Sequence, residues 1–164
     1  MIRAVAGDLA SMVADAVVRP ANPELEPLMP ALRSLDAVAG PRFVEQRRLR
    51  NQLGVGAAVV TGGGELPAEF VIHVVVGTDE DAVTADTIRR AYEAALWQCT
   101  QWAIETIATP VPAAGNIAPS LAFQTVLSVI REHLRNAEHP ATVLIVVPEQ
   151  SEADSLNARI GQGD

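Results

Sequence analysis

Chemistry in this chain rests on a handful of side chains and amides. Asp8, in Gly7-Asp8-Leu9 directly after an apolar run, carries an acceptor-only carboxylate. Such a group suits an amine donor and equally suits the cap of a helix or turn. Asn22 closes Val17-Val18-Arg19-Pro20-Ala21-Asn22; its amide both donates and accepts, and asparagine ahead of a proline is also a common turn initiator. The run Pro110 to Pro119 sets the amides of Gly115, Asn116, Ile117 and Ala118 just ahead of a helix signal. An anion is stabilised there, although the bare feature is an ordinary strand-to-helix loop.

Other reactive types read as structural. His73 interrupts the apolar run Phe70 to Val76 and is expected to be a core histidine donating to a backbone carbonyl. His133 and His139 have no paired Cys, Asp or Glu at ligand spacing, so neither a metal site nor a cofactor is expected. Cys99 falls on the apolar stripe of a helix, as does Trp102, whereas Trp97 lies off it. Arg42, Arg47, Arg48 and Arg50 read as a solvated helix face, with anion or partner binding as the lesser alternative. The glycine cluster between Thr61 and Pro67 reads as a flexible hairpin connection, because no helix follows it to hold a phosphate. The sequence contains no Gly-x-Ser-x-Gly, no nucleotide P-loop and no informative serine, histidine and acid spacing.

The elements that must position these groups alternate along the chain. Short β-branched runs predict strands at Ile2–Ala6, Ala16–Arg19, Ala57–Gly62, Phe70–Val76, Thr106–Thr109 and Thr142–Val147. The fourth and sixth are continuously apolar, as strands covered on both faces are. Helical spacing predicts an amphipathic helix over Thr84–Ala103, another from Pro119 to about Arg135, a third over Arg42–Leu53 and a fourth within Pro27–Ala39. Strand and helix in turn imply an α/β sandwich. The length, 164 residues, and 49% apolar content suit one domain over residues 1–160, with residues 161–164 a frayed tail.

Charge and cysteine usage narrow the classes. With 20 acidic residues against 12 basic ones, all arginine, the net charge is -8 and non-specific nucleic-acid binding is not expected. A single cysteine and an N-terminal run without a charged leader point to a reduced, cytoplasmic setting. No apolar stretch approaches a membrane span.

Taken in order, Gly7-Asp8-Leu9, Val17 to Asn22, Ala39-Gly40-Pro41, Gly56 to Thr61, Leu66 to His73 and Pro110 to Pro119 resemble the macro domain, the ADP-ribose-binding module. The resemblance runs along nearly the whole chain and rests on order and spacing rather than on any one motif. It implies a three-layer α/β/α sandwich whose mixed, roughly six-stranded sheet carries ADP-ribose in a cleft at one end. It implies further that Asp8, beside Leu9, accepts from the adenine amino group, that Asn22 stands near the distal ribose as the candidate catalytic residue, and that the amides from Gly115 to Ala118 meet phosphate.

Three departures from the family pattern bear on function. Arg19-Pro20-Ala21-Asn22 replaces Asn-Ala-Ala-Asn, so a cation stands at the first asparagine position. Leu28-Met29-Pro30-Ala31 stands where the family has a glycine run, removing close backbone approach to a diphosphate. The second phosphate loop lacks the family's hydroxyls and aromatic. Losing two or three charged hydrogen bonds removes about 3 to 9 kcal/mol, against about 8 kcal/mol in a micromolar complex. Arg19 and Arg33 are candidates to compensate with forked donors, although a solvated helix face is the plainer reading of Arg33. The expected function is therefore binding of ADP-ribose or a smaller adenine nucleotide with weak or no ADP-ribosyl hydrolysis. The alternative is an interaction or structural module that has lost nucleotide binding, with a homo-oligomer formed through Trp97 or the filled cleft.

Overall fold

The computed structural model describes residues 1–48, 53–78 and 82–163. Strands β1 (Ile2–Ala6), β2 (Ala16–Ala21), β3 (Ala58–Gly62), β4 (Phe70–Val75), β5 (Thr106–Pro110) and β6 (Thr142–Val147) form one six-stranded sheet in the order β1-β6-β5-β2-β4-β3. All neighbours are parallel except β3 and β4, which run antiparallel. Helices α1 (Ala31–Ala39), α2 (Pro41–Arg48), α3 (Ala85–Trp102), α4 (Pro119–Leu134) and α5 (Gln150–Gly161) complete the described elements.

Strand alternation divides the core into two. Val18, Ile72, Ile107 and Ile145 face α3 and α4, whose inward residues include Ile88, Tyr92, Phe123 and Leu127. Val17, Val71, Ala108 and Leu144 face the opposite way, towards Leu32 and Leu35 of α1 and Phe43 of α2. A sheet covered on both faces explains why β4 and β6 read as unbroken apolar runs. The fold is a three-layer α/β/α sandwich.

Each boundary has a local cause. Thr84 caps α3 through its side chain on the Thr87 amide, Thr87 returns the contact to the Thr84 amide, and Ala103 ends the helix in the left-handed region at φ 51. Helix α1 starts after Pro30 rather than at Pro27, which instead bridges to Ala21. Of the expected Arg42–Leu53 helix, α2 runs from Pro41 to Arg48, Leu53 is not helical, and residues 49–52 lie outside the described residues. Strand β2 extends two residues further than expected, through Pro20. That proline, lacking a donor, is tolerated in a central strand because β5 pairs with β2 only at Ala16 and Val17.

Three expectations need correction here. The helix α5 is not anticipated by the sequence reading, because only Ala153 of its residues is fully buried and its apolar signal is thin. Trp102 is 56% exposed despite its place on the apolar stripe, since α3 ends there, and its ring leans on Phe70, 5.8 Å away. The glycine turn is pinned rather than loose: Glu65 donates its amide to Ala39 O, and a Cβ on Gly64 (φ +59) would stand 2.3 Å from that same oxygen.

Candidate functional site

The loops leaving β1, β2, β5 and β6 gather at the carboxyl ends of the parallel strands, where open α/β sheets hold ligands. The sheet itself makes room: β2 and β5 separate after Val17, and a cleft of about 780 Å³ opens on this edge. Gly7, Asp8 and Leu9 form its wall after β1, and Val111 and Ala113 form the wall after β5. Phe123 reaches in from α4, and Ser155 and Arg159 from α5.

Asp8 is the exposed N-cap of a single 3₁₀ turn, Leu9–Ser11. Its Oδ1 accepts from the Ala10 amide at 3.1 Å, while Oδ2 has no partner among the described residues and keeps its acceptor capacity. Leu9 packs beneath it in the core. The cap and the free oxygen coexist on one carboxylate.

Arg19 goes elsewhere, and the expectation that it compensates a phosphate is corrected. Its side chain has no exposed surface; Nε and Nη2 donate to the two oxygens of Asp36 at 2.8 Å each, and Nη1 donates to Leu25 O at 2.7 Å. Asp36 also receives Arg47 Nη1 at 2.8 Å. Two guanidinium groups thus share one buried carboxylate, and Arg47 Nε is buried without a partner among the described residues. Burial pulls the Arg19 pKa down, and the hydrogen bonds and charge of Asp36 oppose that pull. The side chain points into the core because α1 brings Asp36 directly under β2.

His73, fully buried, stacks on Phe43 with centroids 5.7 Å apart and lies 3.3 Å from Arg19 Nη1 and 2.7 Å from Thr61 Oγ1. A guanidinium can only donate, so Nδ1 accepts and Nε2 carries the proton towards Thr61. These contacts fix the orientation of its ring.

Asn22 is likewise turned into its own loop. Its Oδ1 accepts from the amides of Glu24 at 3.1 Å and Glu26 at 2.9 Å, and its Nδ2 donates to Glu26 Oε1 at 3.3 Å. The turn-forming role that asparagine before proline allows is the one the side chain performs, and it lines neither the cleft nor the smaller hollow beside it. Arg33 is exposed on α1 and lines neither as well.

That smaller hollow, about 360 Å³, is lined by Leu28, Thr78, Ala114, Gly115 and Asn116 among others. Leu28 faces it, Met29 faces the main cleft, and both side chains pack against the core. The amides from Gly115 to Ala118 donate to no acceptor among the described residues, and Gly115 takes φ +65 to make the turn ahead of α4. Ile117 is half-buried against the core. The groups assigned to one ligand are therefore split between two hollows, with Asp8 and Leu9 at one and Gly115 and Asn116 at the other.

Comparison with known proteins supplies the family. The macro domain family model matches residues 18–122. The chain belongs to the macro domain family. A macro domain-containing protein of Methanosarcina mazei is 28% identical over 98% of this chain and 88% of its own length. An O-acetyl-ADP-ribose deacetylase of Enterobacter sp. (strain 638) is also 28% identical, over 93% of this chain and 89% of its own. The Trypanosoma brucei macrodomain, solved in complex with ADP-ribose, superposes with a TM-score of 0.84 at 22% identity, covering 98% of this chain and 69% of that one.

In this macro domain the family match begins after Asp8 and ends before α5. The α5 residues in the cleft wall are the ones sequence reading missed. Their signal was present as Ala153, Leu156 and Ile160, spaced three and four apart. Among the described residues no cluster of His, Cys, Asp or Glu could hold a metal, and no helix is long and apolar enough to cross a membrane.

Proposed function

We propose that this macro domain binds ADP-ribose or a related adenine nucleotide and performs little or no ADP-ribosyl hydrolysis. The carrying observation is Asp8, exposed on the rim of an open cleft with one carboxylate oxygen uncommitted. That oxygen is an acceptor for an exocyclic amine, and the apolar wall of Leu9 and Phe123 suits a purine face. A relative named as a deacetylase of O-acetyl-ADP-ribose and a neighbour solved with ADP-ribose support the ligand class. Weak hydrolysis follows from the loop chemistry: Asn22 is spent on Glu24 and Glu26, and Leu28 and Met29 stand in place of glycines. A buried, unpaired Cys99 is compatible with a cytoplasmic setting.

The competing reading, an interaction module without a ligand, draws on the packing of Leu28 and Met29 against the core. The open cleft beside Asp8 favours the ligand. Calorimetric titration with ADP-ribose, ADP and AMP tests this directly. Binding that Asp8→Ala weakens by about 1 to 3 kcal/mol is the expected result. Silence with all three from a folded sample transfers the assignment to the interaction module, and robust release of ADP-ribose from an acidic-residue conjugate overturns the claim of weak catalysis.

A further inference from the structure

The main cleft contains a cation, Arg159, that an adenine contact at Asp8 leaves unused. Arg159 of α5 lines it, half-buried, with its guanidinium carbon 4.6 Å from the centroid of the Phe123 ring. One contact, from Nη2 to Gln124 Oε1 at 3.3 Å, is the guanidinium's only hydrogen bond among the described residues. Most of its five donors are therefore available, and the ring face beneath holds the cation in place.

Resting on the nucleotide reading, we propose that Arg159 receives the phosphate of the ligand, and that the preferred ligand is an adenine nucleotide ending in one phosphate rather than ADP-ribose. Charge sets the orientation. The cleft's other charged lining groups are Asp8 and Glu152, both carboxylates, so a phosphate is repelled from them and drawn to Arg159 while the base amine goes to Asp8. A guanidinium fork matches two oxygens of a terminal phosphate in a bidentate pair.

Extent follows from the walls. Met29, Ala31 and Ser34 line the cleft on the side of α1, and Leu28 belongs to the other hollow, where Gly115 and Asn116 lie. A phosphate held by Arg159 stays in the main cleft, whereas those amides belong to the other hollow. A second phosphate and a distal ribose find Asn22 committed to its loop and Arg19 buried under the sheet.

The test is calorimetry on the full chain with adenosine, AMP and ADP-ribose, using wild type, Arg159→Gln, Arg159→Lys and Asp8→Asn, each checked for folding by circular dichroism. AMP is expected to bind at least about tenfold more tightly than adenosine, and no less tightly than ADP-ribose. Arg159→Gln should bring AMP to the level of adenosine without changing adenosine, and Arg159→Lys should keep part of the difference, since it retains charge without the fork. Asp8→Asn should weaken adenosine and AMP alike. Tighter binding of ADP-ribose than of AMP, unaltered by Arg159→Gln, overturns this inference and leaves the nucleotide reading standing. Absence of binding by every adenine compound overturns both.

Discussion

A guanidinium with no exposed surface must find its counter-charge inside the fold, and Arg19 finds it in Asp36. Removing one partner of a buried pair leaves an uncompensated charge, which costs about 3 to 5 kcal/mol. Because Arg47 still serves Asp36, Arg19→Met is expected at the low end, about 3 kcal/mol, read as a lower urea midpoint with the slope unchanged. Adding Asp36→Leu together with Arg47→Met, so that no charge of the cluster is left unpaired, should recover part of that loss; strictly additive variants would show the cluster to be uncoupled. At this scale the sequence was least legible. Arg19 sits in a motif position that resemblance assigns to ligand, and only the third dimension reveals Asp36 beneath it. Asp8 and Asn22 were readable as alternatives, cap or contact, and the fold realises the local option for Asn22 while Asp8 retains a free oxygen.

Among the elements, the edges of the sheet are treated differently. The outer edge of β1 is covered by a side chain: Asn157 of α5 accepts from the Ala4 amide at 2.8 Å and donates to Ala4 O at 2.9 Å, imitating a neighbouring strand. Asn157→Ala should cost about 1 to 2 kcal/mol and accelerate hydrogen exchange at the Ala4 amide. Exchange there at the wild-type rate would mean that the amide pair contributes nothing. The capping box of α3 offers a parallel case, in which Thr84→Ala should cost about 1 kcal/mol in thermal or urea unfolding. Strong period and caps made α3 and α4 legible to within a residue or two. Helix α5 was not, because a short helix that buries one alanine fully carries little periodic signal.

For the molecule as a whole, burial of neutral acids sets an alkaline limit. Desolvation pushes the Cys99 thiol from 9.0 up to about 12 and raises the Tyr92 phenol above its ordinary 10.0, against its hydrogen bond to Thr109. Both protons are kept by the folded chain and released by the unfolded one. Stability is therefore full below pH 9 and declines above it, by about 1.4 kcal/mol per pH unit for each group in its window. Urea titrations at pH 8 and pH 10 should show this decline, with the Cys99 share absent in Cys99→Ala. Equal loss in that variant would assign the effect to other groups. The global architecture was the most legible level, since alternation of strand and helix, continuous apolar runs and motif order all point to one sandwich. What escaped is what depends on meetings across the fold: two hollows in place of one, and a cleft wall supplied by the last helix.

The pairing of β1 with β6 in register, Ile2 on Val143 through Ala6 on Val147, has a consequence during synthesis. Asp8 leaves the ribosome long before the wall that faces it, β6 and then Arg159. The nascent chain consequently holds an unpartnered first strand while the rest of the sheet is being made, and the cleft exists only after the ribosome has finished with α5. Occupancy of the site is thus a report that synthesis has passed α5 and that β1 has met β6.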